Sequence, residues 1–132
     1  MAKTQLKDIK VVAVDDDPDS RELLTVILKR SGAQAVVVGS GREALSVIRT
    51  VRPDVFISDL AMPEMDGYEL IRNVRKLREK VGSVPSIAVT GSAGNDERVR
   101  SRRAGFELHL TKPVNPDDLV TAIAELVETK RR

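Results

Sequence analysis

Short β-branched runs alternate along the chain with stretches whose apolar residues recur at helical spacing. Lys10, Val11, Val12, Ala13 and Val14 form a run suited to a buried strand, and it ends in Asp15, Asp16 and Asp17. Asp17 followed by Pro18 reads as a helix start, because the carboxylate can cap the first turn and the proline ring is preset for the first helical position. Leu23, Leu24, Ile27 and Leu28 then mark the inward face of that helix, and Gly32 supplies its stop. Residues 35–38 read as a second strand. Ser40-Gly41-Arg42-Glu43 has capping-box spacing and opens a second helix with Ala44, Leu45 and Ile48 inward. Pro53 resets the chain, residues 54–58 read as a third strand ending at Asp59, and residues 62–67 read as a loop. A third helix carries Leu70, Ile71, Val74 and Leu77 inward. Residues 86–89 predict a fourth strand ending at Thr90, residues 91–94 are small and loop-like, and a fourth helix follows to Ala104. Residues 107–110 predict a short fifth strand ending near Lys112-Pro113. Asn115-Pro116 caps a last amphipathic helix carrying Leu119, Ile123, Leu126 and Val127.

Five strand–helix units in succession predict an α/β fold, a doubly wound parallel sheet with helices on both faces. Right-handed crossovers leave few other arrangements. The 132 residues suit one domain, with a core over about residues 10–127. A chain of this length buries roughly two-thirds of its unfolded surface, enough for a core without staples. There is no cysteine, which excludes a disulfide framework, a thiolate zinc site and a cysteine nucleophile, and suits a cytoplasmic protein. No apolar run approaches a membrane span, and the first residues hold no apolar signal core. The 22 basic and 20 acidic residues nearly balance, and Phe56, Tyr68 and Phe106 are the only aromatics. Neither a nucleic-acid surface nor a membrane partner is expected from such a chain.

The chemistry gathers where a parallel sheet places its ligands, beyond the carboxyl ends of the strands. The first predicted strand ends in Asp15, Asp16 and Asp17, the third in Asp59, the fourth in Thr90, and the fifth just before Lys112. Carboxylates brought together repel one another and need protons or a cation. A small acidic cluster with room for water and phosphate oxygens suits Mg²⁺. Lys112 adds a mobile positive charge and Thr90 a hydroxyl donor, so these parts can position a phosphoryl group and neutralise its charge. Asp59, with an apolar strand behind it, is the natural nucleophile. Each residue alone has an ordinary reading: a turn and cap for the aspartates, a strand-ending threonine, a solvated lysine. Only Asp17 is needed as a cap, and four strand ends carrying these types in this order are far more specific than any one of them.

These stretches resemble the motifs of response-regulator receiver domains, the CheY-like family. Val14-Asp15-Asp16-Asp17-Pro18-Asp19-Ser20-Arg21 is similar to the family's acidic-pair motif, and Asp59-Leu60-Ala61-Met62-Pro63-Glu64-Met65-Asp66-Gly67 to its phosphoacceptor loop. Val89-Thr90-Gly91 matches its Thr/Ser switch position and Leu110-Thr111-Lys112-Pro113 its lysine-proline motif. The resemblance runs from about Lys10 to Leu126 and implies a flavodoxin-like (βα)5 fold with strand order 2-1-3-4-5. It implies that Asp16 and Asp59 ligate Mg²⁺ directly, that Asp15 acts mainly through a water, and that the backbone carbonyl of Ala61 completes the protein ligands. It further implies that Asp59 accepts a phosphoryl group from a histidine kinase or histidine phosphotransfer protein, with Thr90 and Lys112 holding the phosphate oxygens. A cis bond between Lys112 and Pro113 is expected on the same ground.

Departures from the family pattern are informative. The aromatic switch position is His109, and Ala61 and Ser92, which lie where the family tunes acyl-phosphate lifetime, offer neither carboxylate nor amide to an attacking water. Arg72, Arg75, Lys76, Arg78 and Lys80 on the third helix, and Arg98, Arg100, Arg102 and Arg103 on the fourth, read as solvated faces. The sharper alternative makes the fourth helix a docking surface, with an output partner or a second copy meeting the fourth-helix, fifth-strand and fifth-helix face. Lys130-Arg131-Arg132 reads as a frayed end or the start of a linker. Two enzyme alternatives fit poorly. A haloacid-dehalogenase-type phosphatase needs Asp-x-Asp where Leu60 and Ala61 stand, and a flavodoxin needs a hydroxyl-rich phosphate loop where the first aspartates stand. A third alternative, an adaptor that is never phosphorylated, should have lost an acid or the lysine. The chain reads either as a stand-alone regulator or as the receiver of a larger protein, and its loop wording resembles receivers of hybrid sensor kinases.

Overall fold

The computed structural model describes residues 5–91 and 94–131, the side chain of residue 131 excepted. The elements run β1 (Lys10–Val14), α1 (Pro18–Arg30), β2 (Gln34–Val38), α2 (Gly41–Val51), β3 (Val55–Asp59), α3 (Gly67–Arg75), a 3-10 segment (Glu79–Ser83), β4 (Ser86–Thr90), α4 (Asn95–Ala104), β5 (Leu108–Thr111) and α5 (Pro116–Arg131). All strand pairs are parallel, in the order β2-β1-β3-β4-β5. This is the doubly wound flavodoxin-like arrangement expected from the sequence.

The period-two alternation of strands divides the core into two layers. Val11, Ala13, Val55, Ile57, Ile87 and Val89 point to one face and pack with Leu24, Leu28, Leu119 and Ile123 of α1 and α5. Val12, Val14, Phe56 and Ala88 point to the other and pack with Ala44, Ile48, Leu70, Ile71 and Val74 of α2 and α3. The central strands β3 and β4 are buried along their whole length, which is why they read as nearly continuous apolar runs.

Register then delivers the chemistry. Val14 pairs with Ser58, so the next residues, Asp15 and Asp59, emerge side by side where the strand order reverses. Thr90 pairs with Thr111, so Lys112 leaves β5 beside the end of β4. The caps fall as the sequence predicts. Asp17 accepts from the Ser20 N–H at 2.9 Å, Ser40 from the Glu43 N–H at 3.2 Å, and Asn115 from the Asp118 N–H at 3.0 Å. Asp66, read as loop, caps α3 through the Glu69 N–H at 2.8 Å. The Lys112-Pro113 bond is cis, as expected.

The third helix is shorter than its apolar pattern implies. It ends at Arg75, where the amides of Lys76 and Leu77 turn back to Asn73 and Val74, and Glu79 takes a positive φ of 63°. Leu77 still packs on the core, from beyond the helix. Arg78 and Lys80 therefore lie outside the helix, and Arg75 is no solvated residue. Its guanidinium donates to the carbonyls of Gly82, Val84 and Gly105, the last at 2.6 Å from Nη2, and pairs with Glu107 at 3.1 Å. Leu23, expected inward, is 44% exposed on α1. At the other end α5 continues through residue 131, and Lys130 Nζ donates to Ser83 O at 3.4 Å. Arg132, the last residue of the stretch expected to fray or to begin a linker, lies outside the described residues. Among the described residues, no helix is long and apolar enough to cross a membrane.

Candidate functional site

Asp15, Asp16 and Asp59 each offer a carboxylate oxygen within 4.8 Å of the others. Asp15 and Asp59 are buried and Asp16 is exposed. Asp15 is fixed from three sides. Its Oδ1 accepts the Asp17 N–H at 2.9 Å, its carbonyl accepts Arg21 Nη1 at 2.8 Å, and its Oδ2 pairs with Lys112 Nζ at 2.9 Å. Lys112 also reaches Asp59 Oδ2, at 3.4 Å. One ammonium thus serves two buried carboxylates, and a net negative charge remains at the sheet edge.

The electrostatics follow from this crowding. Burial first, and then the Asp15 charge, push Asp59 from an ordinary value of 3.8 up to about 6, against the opposing pull of Lys112 and the Ala61 N–H. Burial acts against the charge on Lys112, but its bond to Asp15 and the charge of Asp59 outweigh it and hold the ammonium above its usual range. The backbone crowds the loop after β3 as well. The Gly67 N–H donates to Leu60 O at 2.9 Å, and a Cβ on Gly67 would lie 2.5 Å from the Asp59 carbonyl oxygen. Only glycine lets α3 start this close to the end of β3.

Thr90 stands at the end of β4, where its Oγ1 donates to Glu97 Oε1 at 2.7 Å. His109 is half-buried in β5 opposite Ala88, with no hydrogen bond to either ring nitrogen. Burial, and then Arg98, hold its pKa down. Ser92 lies outside the described residues. The structure thus brings together Asp15, Asp16, Asp59 and Lys112, places Thr90 at the neighbouring strand end, and sets His109 one strand further out. The sequence reading missed Glu97 and Arg21. Glu97 sits in the first turn of α4, where an acid is common for reasons of local helix electrostatics alone, and Arg21, near the start of α1, looks like an ordinary helix-surface arginine.

Residues 11–124 match the sequence profile of the "Response regulator receiver domain" family. The chain belongs to the response-regulator receiver family. The receiver is 42% identical over 120 residues, covering 91% of each chain, to a Leptolyngbya boryana protein known as the uncharacterized 14.6 kDa protein in the sodA1 3′ region. Its fold overlays that of a CheY-like receiver domain protein from Methanospirillum hungatei with a TM-score of 0.85, at 30% identity over 95% of this chain and 98% of that one. It also resembles the receiver domain of sensor histidine kinase PA1611 from Pseudomonas aeruginosa, with a TM-score of 0.84 and 26% identity over 92% of this chain and 98% of that one. That structure holds a magnesium ion coordinated in its active-site cleft. An acidic cluster of the kind that suits such an ion is present at the sheet edge of this receiver.

Proposed function

We propose that this receiver is a two-component phosphorelay switch that accepts a phosphoryl group on Asp59 from a histidine kinase or histidine phosphotransfer protein. The observation that carries this reading is the placement of Asp59: buried, at the strand-order reversal, beside two further carboxylates and under one lysine. An Asp59 carboxylate oxygen attacks the phosphorus of a phosphohistidine protonated on its other ring nitrogen, the P–N bond breaks, and neutral imidazole leaves with the bonding pair. Asp16 and Asp59 would hold Mg²⁺ directly, Asp15 through a water, and the Ala61 carbonyl would complete the protein's share. Bound there, the ion neutralises charge on the transferring group. Lys112 is already poised over Asp59 and can follow the charge as it moves onto the phosphoryl oxygens. Thr90 would donate its hydroxyl to one of them. The domain turns over no substrate beyond its own acyl phosphate, so its role is regulatory.

The hard oxygen donors of Asp15, Asp16 and Asp59 fit a small divalent cation, and their mutual repulsion, visible in Asp59, gives them reason to hold one. A cavity of about 340 Å³ opens beside Asp15 and Lys112, lined also by Leu23, Leu24, Pro113 and Val114. Leu23 and Val26 stand exposed on α1 next to it. Output would pass to a protein partner or a second copy through the α4, β5 and α5 face, with His109 responding to movement of Thr90. The direct test is titration with Mg²⁺ followed by acetyl phosphate, read by NMR and intact mass. Wild type should bind one ion and gain one phosphate, Asp16→Ala should bind the ion at least about tenfold more weakly, and Asp59→Asn should gain no phosphate. Unchanged metal affinity in Asp16→Ala would refute the ligand assignment.

A further inference from the structure

Glu97 lies in the first turn of α4, and the bond it accepts from Thr90 is short, charge-assisted and part-buried. Nothing in phosphoryl transfer requires this residue. A threonine hydroxyl carries one proton and donates to one acceptor at a time. The bond to Glu97 and a bond from Thr90 to a phosphoryl oxygen on Asp59 are therefore mutually exclusive.

The surroundings of Glu97 show what could replace Thr90. Tyr68 is 5% exposed, and its hydroxyl forms no hydrogen bond, although Glu97 is close enough to act on it as an acceptor. A buried O–H that forms no hydrogen bond is unfavourable and uncommon. Of the carboxylates that act on this hydroxyl, Glu97 acts more strongly than Asp66. Burial first, and Glu97 next, push the Tyr68 hydroxyl's pKa up, and Arg100, one turn further along α4, stacks over the Tyr68 ring at 4.0 Å. When Thr90 turns away, Glu97 loses a donor beside a hydroxyl that has formed no hydrogen bond.

We infer that Glu97 is a positioning residue of the switch, which engages the Thr90 hydroxyl at rest and takes the Tyr68 hydroxyl in exchange when Thr90 turns to a phosphoryl group on Asp59. This rests on the phosphoacceptor reading of Asp59. The exchange sets the resting state, because Thr90 must leave a carboxylate before it can serve the phosphate. It also lowers the cost of leaving, because the carboxylate is not stranded. The local two-state element is the hydroxyl of Thr90, and α4 carries the consequence outward through Arg100 and the exposed Val99.

The test is the affinity of the Mg²⁺-loaded protein for beryllofluoride, a phosphoryl mimic, followed by NMR. Glu97→Ala removes the competing acceptor and should tighten binding on the order of tenfold. Asp96→Ala removes the same charge from the same turn without touching Thr90 and should change binding by less than about twofold. In a Thr90→Ala background the Glu97→Ala effect should vanish. Tyr68→Phe should weaken binding when Glu97 is present and leave it unchanged in Glu97→Ala. Wild-type binding that Glu97→Ala leaves unmoved, or that Asp96→Ala tightens equally, overturns the positioning role and leaves the phosphoacceptor reading intact. An equal loss from Tyr68→Phe in both backgrounds overturns the exchange. Wild type that takes up no beryllofluoride at Asp59 overturns both readings.

Discussion

Asp59 is held in surroundings that disfavour its charge, and this has a measurable consequence. Its pKa is raised in the fold from 3.8 to about 6 by burial and by Asp15, so the folded state binds more protons than the unfolded one between those values. The stabilisation from its proton is complete below the unfolded value and is lost as pH rises through about 6. Above that, the ionised Asp59 opposes folding of the metal-free protein by up to roughly 3 kcal/mol. Asp59→Asn carries no such charge. In chelator, urea unfolding should find Asp59→Asn more stable than wild type at pH 7.5, with the gain shrinking toward pH 4. A gain of equal size at both pH values would show that the side chain acts by some route other than its charge. The acidic site was legible at this scale because only Asp17 is needed as a cap, and the other aspartates end strands in company with Thr90 and Lys112. Glu97 was not legible, because an acid in the first turn of a helix already has a sufficient local reason to be there, and its bond to Thr90 depends on how α4 packs.

At the scale of elements, the apolar pattern located the five strands and five α-helices but not the 3-10 segment, and α3 ends at Arg75, two residues before Leu77. The helical period continues through Leu77, but Arg75 folds back the chain that follows. Its guanidinium holds carbonyls from the 3-10 segment, from the residues before β4 and from the α4–β5 turn. Sequence separations as long as 30 residues carry no periodic signal, so Arg75 looked like one more solvated arginine. Arg75→Ala takes the guanidinium from the Gly82 and Gly105 carbonyls and leaves Val84 O with Ser86 Oγ, and should cost about 2–4 kcal/mol in urea unfolding. Arg75→Lys keeps the charge but lacks the planar fork and should fall between the two. A loss below about 0.5 kcal/mol, the range of an ordinary surface substitution, would contradict this clip. The α1 face departed from expectation for a different reason. Leu23 fits the inward period but lines the cavity beside Lys112 and is 44% exposed there.

In the whole molecule, topology converts separate sequence motifs into one site. The motifs around Asp15, Asp59, Thr90 and Lys112 are far apart in the chain, and parallel register alone brings their strand ends together. The fold class was readable from the order of elements, and the site from what stood at their ends. The exchange of hydrogen bonds beneath α4 was not, because it depends on which buried hydroxyl forms no hydrogen bond. The central claim is that phosphate enters at Asp59 and nowhere else. Incubation with acetyl phosphate and Mg²⁺, followed by borohydride reduction and peptide mass spectrometry, tests it most directly, since reduction turns an aspartyl phosphate into homoserine. Homoserine at position 59 alone, absent without Mg²⁺ and absent in Asp59→Asn, is the predicted result. Phosphate on Asp15, Asp16 or any hydroxyl of the wild-type protein, with Asp59 unmodified, would contradict it.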